Sequence, residues 1–114
     1  MGKLTLAVLL FLIGQSIIWF QTNGQFIWKW FDKNPIILSI GMGSIISYVF
    51  ILATKYSFEY FDGLLWPGRF LGFALGISSY ALLTWWFMGE GITIKTFISL
   101  ILAVMIIAVQ IFWK

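Results

Sequence analysis

Gln15 is the most polar residue set deep in an apolar run of this chain, and it stands beside Gly14 and Ser16. An amide offers two N–H donors and one carbonyl acceptor, and it does not titrate. Such a group can bind or orient a solute, but it cannot load and release a proton. Burying it costs free energy unless it finds a partner, so Gln15 must face protein or a water-filled cavity. Two roles fit: an interhelical hydrogen bond, or a place in a substrate cavity. Ser78, Ser79, Tyr80 and Thr84 form a second polar stripe further along the chain. Hydroxyls can bond back to their own helix, so these residues require no ligand. Ser79 and Tyr80 join Gln15 as cavity candidates. Trp19 and Trp85 are the aromatic candidates, suited to a flat or cationic ligand.

The remaining chemistry is limited by what is missing. The chain has neither cysteine nor histidine, which removes thiol chemistry and the commonest zinc, haem and iron–sulfur ligand sets. The acids Asp32, Glu59, Asp62 and Glu90 all lie between the apolar runs. General acid–base and metal chemistry therefore lack obvious carriers. The expectation is a non-enzyme without cofactor or metal. The seven basic residues are scattered and form no patch, so nucleic acid is not expected as a partner. Arg69 near Glu59 and Asp62 has two readings: a surface ion pair, or a gate or headgroup-binding cation whose stem snorkels.

These residues must be positioned by four apolar segments, 4–20, 35–54, 70–88 and 92–113. None carries a charge in its middle. Each is about 17–22 residues long, enough to cross a ~30 Å hydrocarbon layer as a helix. The chain is 61% hydrophobic and 10% charged, too apolar for a soluble domain of this size. Period-two polarity is absent, so strands are excluded and helices are expected. The predicted fold is a single all-α membrane domain, a compact bundle of four transmembrane helices. The first segment follows Lys3 but has no A-x-A-like cleavage site, so it is read as a spanning helix and not a signal peptide.

The connections differ in character. Residues 21–34 mix Phe26, Trp28, Trp30 and Phe31 with Lys29, Asp32 and Lys33, a composition suited to the headgroup layer. Asn34-Pro35 reads as an N-cap followed by proline at the first helical position. Residues 56–61 can prolong the second helix before Asp62-Gly63 breaks it. Gly89-Glu90-Gly91 is short enough to force helices three and four into an antiparallel hairpin. Four spans put both termini on one side, with Lys3, Lys55, Arg69 and Lys114. The other side holds Lys29, Lys33 and Lys95. Four basic residues against three place the termini in the cytoplasm by a single charge, so dual topology stays open.

Small residues recur at helical spacing. Gly68, Gly72 and Gly76 lie on one face of the third helix, and Ser39, Gly43 and Ser47 on one face of the second. Both stripes are expected to pack helices closely. Ser99, Ala103 and Gln110 on the fourth helix are the expected seam of a homodimer.

Trp66, Gly68, Gly72 and Gly76, then Phe87, Gly89 and Glu90 before a small-residue fourth helix, form a pattern that resembles the small multidrug resistance proteins of the drug/metabolite transporter superfamily. The likeness is concentrated in residues 66–113. Asn23-Gly24-Gln25-Phe26 after the first helix adds to it. The resemblance implies a four-helix half-fold, pairing of two copies, and a cavity for a small solute. The family's membrane-embedded glutamate in helix one has no counterpart here, and Gln15 occupies roughly that depth. The expected function is a small-solute transporter or facilitator without a proton-coupling carboxylate. The alternative is a non-transporting subunit that packs against a larger membrane complex.

Overall fold

A computed structural model describes residues 2–113. Lys114, counted above among the basic residues of the terminal side, lies outside the described residues. The described chain is helical throughout apart from its short connections, and it measures 47 × 35 × 19 Å. Helix α1 is Gly2–Asn23, α2 is the short Lys29–Lys33, α3 is Pro35–Tyr60, α4 is Trp66–Leu83 and α5 is Ile94–Phe112. Thr84–Met88 prolongs α4 as a π-helical segment. Four of these helices are long and apolar enough to cross a membrane: Gly2–Phe26, Pro35–Tyr60, Trp66–Met88 and Ile94–Phe112.

The helix ends are set by local chemistry. Past α1 the chain tightens into a 3-10 turn, Gly24–Phe26. Gly24 is required there, because a β-carbon would collide with the Phe31 ring folded over it. Pro35 opens α3 in the first turn. Asn34 does not cap it: its amide donates backward to the Trp30 carbonyl at 2.7 Å. α3 runs to Tyr60, through residues 56–60. Asp62 and Gly63 then take left-handed backbones, φ 57° and 83°. The Gly63 N–H closes on the Phe58 carbonyl at 2.8 Å, the six-residue return of a Schellman end. α5 starts at Ile94, because the Thr93 hydroxyl accepts from the Thr96 N–H at 3.2 Å.

α1 is the central helix. Leu4, Ala7, Phe11 and Gly14 are buried along it at alternating steps of three and four, the spacing of one packed seam. On one side it meets α3 antiparallel, with Gly14 against Phe50 and Gln21 donating to the Leu38 carbonyl at 3.1 Å. On another side it meets α4 parallel, with Phe11 beside Gly72 and Gln15 beside Gly76. Leu4, Ala7, Phe11, Ala53, Leu71 and Leu75 form the main core, and Ile107 and Ile111 of α5 pack onto it. The end of α5 thus returns to the level where α1 begins. α5 leans on α4 and buries only Ala103.

Candidate functional site

Between α3 and α4, over Phe11 and Gln15 of α1, lies a cleft of about 640 Å³. The two helices meet far less than either meets α1, and Ser57 of α3 faces Gly68 of α4. The floor is Phe11 and Gln15 of α1. One wall is Phe50, Thr54, Ser57 and Phe58 of α3. The other is Gly68, Arg69, Phe70, Gly72 and Phe73 of α4, with Leu64 and Leu65 at the mouth. The lining is mostly aromatic and aliphatic, with four polar side chains: Gln15, Thr54, Ser57 and Arg69. That is the usual make-up of a ligand site, in a volume range typical of small-molecule pockets.

The α4 glycines shape the floor. Gln15 Nε2 donates to the Gly72 carbonyl at 3.2 Å. A β-carbon on Gly76 would lie 2.7 Å from that same amide nitrogen, and one on Gly72 would lie 3.1 Å from the Phe11 ring. A β-carbon on Gly68 would press on the Ser57 hydroxyl. Gly68, Gly72 and Gly76 therefore seat one residue of α3 and two of α1. Gln15 spends one N–H on the α4 backbone and stays half-buried on the floor of the cleft.

Ser57 is the anomaly of the site. Its side chain is 1% exposed, and its hydroxyl has no hydrogen-bond partner. Ser16, Thr22, Ser39, Ser44, Ser78 and Ser99 all donate to the carbonyl four residues back. Ser57 does not. An unpaired buried hydroxyl costs about 1–3 kcal/mol relative to a satisfied one. Arg69 is exposed at the cleft and forms no ion pair among the described residues. The ion-pair reading of Arg69 fails, because Glu59 is drawn instead to Lys3 across the α1–α3 contact, at 3.7 Å.

The other cavity candidates are dispersed. Trp19 is 1% exposed and lines neither this cleft nor the recess beside Tyr80. Its indole N–H donates to Thr84 Oγ1 at 2.9 Å, and its ring packs edge-on to Phe20 and tilted on Phe87. A buried indole that has found its acceptor acts as an anchor of the fold. Ser79 is buried. Tyr80 is exposed, reaches Asn23 Oδ1 at 3.5 Å, and borders a separate recess of about 400 Å³ between α4 and the start of α5, with Ser99 opposite. Trp85 is half-exposed, stands in the π segment and lines neither recess.

Two small-residue stripes also need correction. Ser39 and Ser47 are exposed, and only Gly43 faces α1, where an added β-carbon would lie 3.7 Å from the Gln21 amide nitrogen. α3 packs instead through Leu38, Ile46, Ala53 and Ser57. Apolar bulk decides the buried face, and a serine such as Ser39 that bonds its own helix needs no neighbour. On α5, Ala103 is buried within the chain, so it is not free to form a dimer seam with the exposed Ser99 and half-buried Gln110. The hairpin through Gly89, φ 69°, lays α5 along α4 with Ala103 buried and Ala108 exposed.

Comparison with protein families, with curated proteins and with solved structures returns no match. The site's residues therefore carry the functional reading. Sequence reasoning overlooked Thr54 and Ser57. Ala53 and Ser57, four apart beside the Lys55 and Glu59 charges, were the available signal: a small-residue pair facing the glycines of α4.

Proposed function

We propose that this chain is a small multi-pass membrane protein of the drug/metabolite transporter type, binding a small solute in the α3–α4 cleft without a proton-coupling carboxylate. The observation that supports this reading most is the 640 Å³ cleft with Gln15 on its floor. A bundle that serves only as a docking subunit needs no such opening. The half of α1 beyond Gln15 is closed by Trp19, Phe20 and Phe87, whose rings contact one another with centroids 5.1–5.7 Å apart. A cleft on one side of Gln15 and a closed aromatic cluster on the other fit one arm of an alternating-access cycle. Gln15 cannot titrate, so solute movement is expected to follow the solute gradient. Liposomes carrying the full chain, tested with small fluorescent organic anions and cations, check this. Flux that is indifferent to a pH gradient and is lost in Gln15→Leu is expected. No flux for any probe overturns the proposal.

A second reading rests on α5, whose most apolar stretch is only 6% buried, against 28% for α1. Its outer face is the surface by which a second copy or a larger membrane complex would attach. Cross-linking from cysteines on the exposed Ile98 or Leu102 in native membranes tests it. Absence of any cross-linked species rejects it.

A further inference from the structure

The cleft carries a charge pattern that narrows what it takes. We infer that it binds an anionic phospholipid, with an acyl chain lying between α3 and α4 and the phosphate at Arg69. The inference rests on reading the cleft as a ligand site; it does not require transport.

Three observations converge. Arg69 lines the cleft within the first turn of α4, near the level where the apolar helices end, and is without an ion pair among the described residues. A guanidinium presents several N–H donors in a fork that matches phosphate oxygens, and it snorkels to headgroup depth without losing its charge. Ser57, across from Gly68 on the opposite wall, holds a hydroxyl buried to 1% exposure that the protein leaves unpaired. It is the one buried side-chain polar atom among the described residues without a partner. Inward from this polar pair the lining is mostly apolar and aromatic, Phe50, Phe73 and Phe11, with Thr54 and Gln15 among them. Phe58 and Phe73 are 42% and 52% exposed, so the cleft is open along its side, where α3 and α4 would face the bilayer. A cation, an unmet hydroxyl and a mostly apolar slot together match a phosphate, its ester region and a hydrocarbon tail. A free inorganic phosphate would use only the first of these.

The test uses the full chain purified in a non-ionic detergent. Short-chain phosphatidylglycerol is titrated in, with short-chain phosphatidylcholine and inorganic phosphate as separate arms, and binding is read by thermal shift and by native mass spectrometry. Phosphatidylglycerol is expected to bind saturably and more tightly than phosphatidylcholine. Inorganic phosphate is expected to leave the melting temperature unchanged. Arg69→Gln is expected to weaken phosphatidylglycerol about tenfold or more, Arg69→Lys by less, and Ser57→Ala a few-fold. Lys55→Gln removes a cation at the same end but outside the cleft, and should leave affinity unchanged. Equal affinity for the two lipids, or Arg69→Gln and Arg69→Lys binding like the parent, overturns the inference. Inorganic phosphate competing fully with phosphatidylglycerol reduces the site to an anion site and overturns the lipid assignment. Flux without phosphatidylglycerol binding would leave the transport proposal standing and this one refuted. Binding without flux would do the reverse.

Discussion

Gly68, Gly72 and Gly76 are spaced alike but do different jobs, and substitution should separate them. The β-carbon of Gly68→Ala would press on the Ser57 hydroxyl and stand 3.2 Å from the Ser57 β-carbon, which cannot swing away. That of Gly76→Ala meets the far end of Gln15, which can move at the expense of its bond to the Gly72 carbonyl. Gly41 has nothing within 4 Å of the same position. In detergent unfolding, Gly68→Ala should therefore lose about 1–3 kcal/mol and Gly76→Ala less. Gly41→Ala should gain about 0.4–1 kcal/mol by stiffening the unfolded chain. Ser57→Ala should raise stability, by up to about 1–3 kcal/mol, because it deletes a buried hydroxyl that has no partner. A loss on Ser57→Ala would mean that the hydroxyl is satisfied after all. The glycine spacing was readable from the chain, since close approach needs small residues at fixed steps. What each glycine would meet was not, because that depends on the rotation of α1 and α3. Ser57, between Lys55 and Glu59, carried no sign of its burial for the same reason.

At the scale of elements, the informative feature is how α4 ends. An α-helix carried on to Met88 would have placed Trp85 and Trp86 by regular spacing. The π segment Thr84–Met88 adds a residue to the turn, and Gly89 at φ 69° then closes it. Thr84, at the junction, holds Trp19 of α1 through a 2.9 Å bond. Thr84→Val keeps the volume but strands the indole N–H in a fully buried site. Hydrogen bonds between membrane helices average about 0.6 kcal/mol and reach about 1.7. The upper end is expected here, and Thr84→Ser should restore most of it. Detergent unfolding of the three proteins reads this directly; equal stability of Thr84→Val and the parent would show that the bond holds nothing. The existence and length of the four long helices were legible because ~20-residue apolar runs admit little else. Their ends were less so. α3 reaches Tyr60 because an amphipathic aromatic stretch can extend a helix past the hydrocarbon. α5 begins only at Ile94 because Thr93 can cap it. The packing face of α3 could not be read from its small residues, since serine satisfies itself within its own helix.

For the molecule as a whole, orientation and ligand chemistry are coupled. Lys3, Lys55 and Arg69 lie at the end where α1 begins and α5 finishes, and Lys29, Lys33 and Lys95 at the other. The cleft reaches from Gln15 toward Arg69, so it serves the terminal end. If the more basic end is cytoplasmic, Arg69 lies at the leaflet where anionic lipids concentrate and basic residues near the surface each gain about 1 kcal/mol. One population of molecules would then present its cleft to its ligand, and an inverted population would not. Carboxylates contribute little to this bias, so the lysines are the levers. The absence of cysteine makes the orientation measurable with single reporters. Gly2→Cys marks the terminal end in open space, and Asp32→Cys marks the exposed α2 segment at the other. In intact cells a membrane-impermeant maleimide is expected to label Asp32→Cys and spare Gly2→Cys. Adding Lys3→Gln with Lys55→Gln turns the count from four against three into two against three. The labelling should then become mixed or reverse, and retention of phosphatidylglycerol by the purified protein should stay unchanged, since neither lysine lines the cleft. A labelling pattern that ignores the double substitution would place the control of orientation elsewhere than in these charges.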